Sequence, residues 1–211
     1  MEFLNILNSR AFDSLHIPDD WRIDYQGWMD HEFLKVFDNA LDGKSETVDI
    51  VEVGTWKGLS AMSMTERCIL KNLKPRIVTV DTWLGAPEFW DNQDDRERDL
   101  MFVNGYPSVF YTFTKNVKSL GISEYIYPLP ISSTQGAEVL KKHNFLADII
   151  YIDASHEYEP VKSDIEAYWK LLKPGGIMIG DDYDWPGVKK AVDEIGNFNV
   201  HGRVWSMVKT S

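Results

Sequence analysis

Asp153 and His156 in Ile-Ile-Tyr-Ile-Asp-Ala-Ser-His, with Asp181 and Asp182 closing Gly-Gly-Ile-Met-Ile-Gly-Asp-Asp, are the residues best suited to chemistry in this chain. Each group follows an apolar run of strand type. If those strands are neighbours in a parallel sheet, all three carboxylates reach one crevice edge, with ~5 Å between strands before side-chain reach. Three unpaired acids there repel one another. A hard divalent cation such as magnesium would resolve that repulsion through oxygen ligands, so Asp153, Asp181 and Asp182 are the candidate metal ligands. His156 can accept a proton from an alcohol that a metal has made more acidic, with Asp153 beside it in the catalytic set. Capping of the next helix or contact with a cofactor are its other readings. Asp184 is a second candidate for orienting substrate, although Trp185 and Pro186 also suit a simple turn. His16, His31, His143 and His201 have no convergent spacing.

A second constellation lies upstream. Glu52, Gly54, Gly58 and Ser60 mark a strand, a glycine turn and a helix start, and Asp81 ends the next apolar strand. Gly54 permits an unusual dihedral and Gly58 a close backbone approach, so the helix N-terminus can face an anion. The spacing is longer than the dinucleotide fingerprint Gly-x-Gly-x-x-Gly, and no phosphate-binding Lys-Ser or Lys-Thr follows. A carboxylate at Asp81 can accept two ribose hydroxyls, or can simply cap a strand end.

The elements that must hold these residues alternate. Strands are expected over Val48–Val53, Ile77–Val80, Tyr125–Ile131, Ala147–Ile152 and Ile177–Ile179. Their β-branched, continuously apolar character suits burial on both faces. Helices are expected over Leu59–Leu70 with Leu59, Met62 and Ile69 inward, Val109–Leu120, from Ser132–Thr134 onward, from Pro160, and over Gly187–Ile195 with Ile195 inward. Phe33, Leu34 and Phe37 suit one face of a short helix, and Arg203–Thr210 an antiparallel edge strand. The connection Trp83–Asp99 exceeds the usual ~2 to 6 residues and reads as a binding loop. The sum is an α/β fold, a doubly wound, mostly parallel sheet with an antiparallel C-terminal edge strand. One domain over residues 1–211 is expected, with residues 1–45 as an aromatic, acidic cover or lid.

The 211 residues carry 22 Lys plus Arg against 33 Asp plus Glu, a net charge of -11, which disfavours nucleic-acid backbones as partners. The single Cys68 excludes a disulfide framework or a cysteine metal cluster. No export signal and no apolar run of 18 residues is apparent, so a soluble cytoplasmic protein without membrane contact is expected.

With these residues in place, the chain resembles the class I S-adenosylmethionine-dependent methyltransferases from about Val48 to Thr210. In that family the glycine loop holds the methionine part of the cofactor and the acid after strand two holds the ribose. Glu52-Val-Gly-Thr-Trp-Lys-Gly-Leu-Ser60 looks like the matching segment of the catechol-type O-methyltransferases, which implies that Glu52 and Ser60 position the amino-acid end. The implied cofactor set is Glu52, Gly54, Thr55, Gly58, Ser60, Asp81, Thr82, Ser132, Ser133 and Asp153. Ser132 and Ser133 either reach the adenine region or compete as N-caps. The acidic residues also resemble the magnesium sites of metal-dependent O-methyltransferases, with Asp181-Asp182 matching the Asp-Asp form of a sugar-modifying group. A lysine serves as base in the catechol type where His156 stands here. The resemblance implies methyl transfer to a hydroxyl of a small molecule; the N-terminal aromatics suit a homodimer contact, and the net charge disfavours a nucleic-acid partner. Rival readings are a nicotinamide-dependent oxidoreductase and a non-catalytic binding module.

Overall fold

A computed structural model describes residues 2–91 and 99–210. Seven strands form one sheet: β1 (Thr47–Val53), β2 (Lys74–Asp81), β3 (Ile126–Pro130), β4 (Ala147–Ile152), β5 (Leu172–Gly180), β6 (Asn199–His201) and β7 (Val204–Val208). Their order is β3-β2-β1-β4-β5-β7-β6. The first five run parallel, while β7 pairs antiparallel with β5 and with β6. The expected antiparallel tail is therefore a hairpin, with β6 at the rim and β7 inside it.

Side-chain alternation divides the core between the two faces of this sheet. Val51, Val53, Val78, Val80, Ile150 and Ile152 pack on one face, and Val48, Ile50, Ile77, Ile149 and Tyr151 on the other. Period two in the strands thus fills both layers.

Helices connect and cover the strands: α1 (Glu2–Phe12), α2 (His31–Ala40), α3 (Leu59–Leu70), α4 (Pro87–Asp91), α5 (Val109–Ser119), α6 (Ser133–Lys142), α7 (Tyr158–Trp169) and α8 (Pro186–Ile195). Helix α3 buries Met62, as expected, together with Ala61, Met64, Thr65 and Cys68, while Ile69 of the expected stripe is exposed. The Thr65 hydroxyl is satisfied by the Ala61 carbonyl at 2.8 Å. Ile195 is likewise exposed, leaving Val188, Ala191 and Val192 to bury α8. A 3-10 turn over Ser123–Tyr125 delays β3, so the strand expected from Tyr125 begins one residue later.

The N-terminal residues close the ends of the sheet. Helix α1 packs on β3, where Asn8 Nδ2 donates to the carbonyls of Ser123 and Ile126 at 2.6 and 2.9 Å. Helix α2 is capped by Asp30, whose carboxylate accepts from the Glu32 amide at 2.8 Å, and it buries Phe33 and Phe37 completely. The stretch read as a binding loop, Trp83 to Asp99, contains α4, and its residues 92–98 lie outside the described residues.

Candidate active site

Strand β1 pairs with β2 on one side and β4 on the other, so the chain direction of winding reverses between β1 and β4. At such a point the connections leave in opposite directions and open a crevice beyond the strand ends. A cleft of about 630 Å³ lies there.

Gly54 holds the crevice together. Its amide donates to the Val80 carbonyl at 2.9 Å, and the Asp153 amide donates to the Val53 carbonyl at 2.8 Å. A Cβ on Gly54 would stand 2.0 Å from the Asp153 carbonyl oxygen, and its φ of +85° is left-handed, so no other residue fits. Gly58, at φ +91°, starts α3 against the ring of Phe113.

Asp81 is committed to this turn. One carboxylate oxygen accepts from the amides of Thr55 and Trp56, both at 2.8 Å, and the other from the Trp83 amide at 2.7 Å. It still faces the cleft, beside Thr55 and Thr82. Charge-assisted bonds of this kind are shorter and stronger than neutral ones and fix the loop before any ligand arrives.

Glu52 lies fully buried behind the turn and accepts the Ser60 hydroxyl at 2.5 Å. Burial pushes its carboxyl up to about 8, against the pull of Ser60. Glu52 Oε2 and the Thr55 hydroxyl are buried without a hydrogen-bond partner of normal geometry. Such orphaned polar atoms beside a glycine cradle fit a polar ligand that completes them.

Lys57, inside the turn, has a completely buried side chain. Its ammonium reaches Asp24 at 2.8 Å, Asp99 at 2.9 Å and the Gln26 amide oxygen at 3.1 Å. Asn116, on α5, donates to the carbonyls of both Asp24 and Lys57 at 2.7 and 2.9 Å. The glycine turn is thereby fastened to the N-terminal segment, which also places Gly27 and Trp28 on the cleft wall.

The acidic constellation assembles at the ends of β4 and β5, where Ile152 pairs with Gly180. Asp153 accepts the Tyr151 hydroxyl at 3.0 Å, and its carboxyl is pushed up to about 7 by burial and then by the charge of Asp181. Burial also raises Asp181, against the neighbouring guanidinium of Arg203. Arg203 Nε donates to Asp181 at 2.9 Å, and Arg203 Nη2 pairs with Asp182. Asp182 sits at φ +62° and takes a second partner, His156 Nε2, at 2.9 Å. The histidine ring stacks on Trp185 with centroids 4.3 Å apart.

Thus the repulsion expected among three acids is offset by an arginine of the C-terminal hairpin. Among the described residues no group of three or more His, Cys, Asp or Glu is arranged to hold a metal ion. With Asp181 and Asp182 turned onto Arg203, this donor set does not fit a divalent cation.

Of the residues expected to bind cofactor, Gly54, Thr55, Ser60, Asp81, Thr82, Ser132, Ser133 and Asp153 line the cleft, as do His156 and Asp182. Glu52, Gly58 and Asp181 stand behind its wall. Asp184 is exposed at the turn before α8. Ser132 contacts Gln135 at 3.1 Å, and the Ser133 carbonyl accepts the Tyr168 hydroxyl at 2.7 Å. Trp83, at the start of the long connection, is a core residue against Phe110 and Phe113. The aromatic wall is made by Trp28, Trp56 and Phe89, with Trp56 and Phe89 stacked at 4.7 Å. Lys57, Arg203 and the pocket-lining Asp164 are site residues for which the sequence carries only nonlocal signals.

A family model described as a methyltransferase domain matches residues 51–183. Uncharacterized protein R132 of Acanthamoeba polyphaga mimivirus is 26% identical over 156 residues, covering 72% of this chain and 61% of that protein. The chain therefore spans less than two thirds of that relative's length. Among solved structures, the O-methyltransferase NovP has a TM-score of 0.63 at 16% identity, over 100% of this chain and 99% of NovP. CalS11, a calicheamicin methyltransferase, has a TM-score of 0.59 at 18% identity, over 84% of this chain and 77% of CalS11. An O-methyltransferase from Bacillus cereus in complex with SAH has a TM-score of 0.57 at 13% identity, over 99% and 91% of the two chains. These structural likenesses are of fold.

Proposed function

We propose that this chain, which belongs to the methyltransferase-domain family, catalyses transfer of a methyl group from S-adenosylmethionine to a hydroxyl oxygen of a small molecule. The observation that carries the reading is the junction of a glycine turn fastened by Asp81 with a carboxylate-paired histidine in one cleft. S-adenosylmethionine, when bound, supplies a methyl group on a positively charged sulfur. Gly54, Thr55, Ser60 and Glu52 would hold its amino-acid end and Asp81 its ribose.

His156 supplies the base. With Nε2–H directed to Asp182, Nδ1 keeps the lone pair that takes the acceptor's proton. Asp182 fixes the ring, and Trp185 stacks on its face. Asp153, pushed up to about 7, lies where it can hold or release a proton near neutrality. Magnesium assistance, implied by the acid trio, enters no step of this reading because Arg203 already pairs with two of the acids.

A cleft of about 630 Å³ is of the size that binds small molecules. Trp185 and the Trp28-Trp56-Phe89 wall suit a flat ring or the apolar face of a sugar. CalS11 is described as a TDP-rhamnose 3'-O-methyltransferase, which supports trying sugar hydroxyls first. The net charge of -11 argues against a nucleic-acid substrate.

Calorimetric titration with S-adenosylmethionine tests the cofactor, with saturable binding expected and its absence removing the proposal. Transfer of a labelled methyl group to a panel of sugars and phenols tests the acceptor class. Wild-type rate and an unaltered pH profile in His156→Ala would remove that residue as base.

A further inference from the structure

Helix α7 turns Val161, Asp164, Ile165 and Tyr168 inward together. Three of these fill the core, whereas Asp164 brings a carboxylate to a position only 2% exposed. Among the described residues no lysine or arginine neutralises it: the one side chain that stabilises its charge is Ser133. Its Oδ1 has no hydrogen-bond partner among them. Leaving a buried acceptor unpaired costs about 1–3 kcal/mol, and more when it is charged. A helix face whose other members are apolar has no packing need for that side chain.

Asp164 also lines the cleft. The same cleft is lined by Ile131, Ser132 and Ser133, which follow β3, and by Ala154 and Pro160. Ile131 and Pro160 provide flat apolar surface, while Ser133 and Asp164 provide the polar edge. That combination suits a planar heteroaromatic ring that presents a hydrogen-bond donor. Burial pushes the Asp164 carboxyl up to about 6, so at pH 7.5 it is ionised and can only accept hydrogen bonds.

We infer that Asp164 recognises the exocyclic amine of an aminopurine, its free Oδ1 accepting an N6–H bond and rejecting a 6-oxo purine in the same place. The inference rests on the cofactor reading above and names the residue that would select the adenine of that cofactor. Ser133 also steadies the charged carboxylate, which gives that serine a role through Asp164. A 6-oxo oxygen placed against Oδ1 would set two acceptors face to face, an arrangement that a site built for a donor rejects strongly.

The test compares S-adenosylhomocysteine with S-inosylhomocysteine, its 6-oxo counterpart, and with the N6,N6-dimethyl derivative, by calorimetry at pH 7.5. The intact protein is expected to prefer the free amine by roughly 10- to 100-fold over either analogue. Asp164→Asn, which keeps size and shape, should reduce that preference severalfold, mainly by weakening S-adenosylhomocysteine. Equal affinity of the wild-type protein for all three ligands overturns the inference whether or not the variant folds. An unchanged preference in a folded Asp164→Asn protein also overturns it. Failure of the wild-type protein to bind S-adenosylhomocysteine at all removes the proposed function, and this inference with it.

Discussion

Replacing Glu52 with glutamine should remove much of the protein's loss of stability at alkaline pH. The carboxyl is fully buried behind the glycine turn, with Ser60 donating to one oxygen and no cation among the described residues beside it, and Asp153 and Asp81 add repulsion. Its folded value of about 8 lies above the ordinary 4.5, so the native state holds a proton that the unfolded chain has released. The corresponding stability is fully present below 4.5 and falls as pH rises through 8. A displacement from 4.5 to about 8 corresponds to about 5 kcal/mol of preference for the protonated form. The amide introduced by Glu52→Gln would accept the Ser60 hydroxyl as the acid does, yet has no proton to lose. Urea denaturation of both proteins at pH 5 and pH 9 measures the effect. The wild-type protein should lose roughly 3–5 kcal/mol more than Glu52→Gln between those values. Asp164, raised to about 6, weakens both proteins over the same interval and cancels in the comparison. Equal losses in the two proteins would refute the argument that Glu52 is protonated in the fold.

Asp81→Ala removes the acceptor of three main-chain amides and should cost about 2–5 kcal/mol in denaturation, together with most S-adenosylhomocysteine affinity; unchanged affinity in a folded variant would detach Asp81 from the cofactor. Lys57→Met leaves Asp24 and Asp99 without their buried ammonium, and a loss of about 3–5 kcal/mol is expected, with faster proteolysis in the N-terminal segment. Arg203→Gln strips the cation from Asp181 and Asp182, so saturable Mn²⁺ binding, followed by paramagnetic resonance, should appear in the variant and be absent from the wild-type protein. Tight Mn²⁺ binding by the wild-type protein would show that Arg203 yields its place.

What could be read from the sequence was mostly what lies along one strand or at its tip. Val48 to Val53 and Ala147 to Ile152 declare themselves because burial on both faces demands continuous apolar residues. Their ends then locate Gly54, Asp81 and Asp153 without knowledge of pairing. Arg203 is different, since only the hairpin brings it to Asp182 across 21 positions of sequence. Lys57 has the residue type of a solvated loop charge and becomes central only when Asp24 and Asp99 fold over it. Asp164 stands between Ser163 and Ile165 on a helix with charged neighbours, where an acid passes for surface. Helix α1 is a local feature that a reading centred on strands passes over: Leu4, Leu7 and Ala11 already have the three- and four-residue spacing of a buried face.

The arginine that clamps Asp181 and Asp182 arrives late in the chain, from a hairpin that follows every other residue of the cleft. During synthesis the glycine turn, Asp81 and His156 can all be in place before the guanidinium leaves the ribosome. Until then the acids at the end of β5 face one another without a built-in positive charge. The nascent domain should therefore form its glycine-turn half before its acidic half settles.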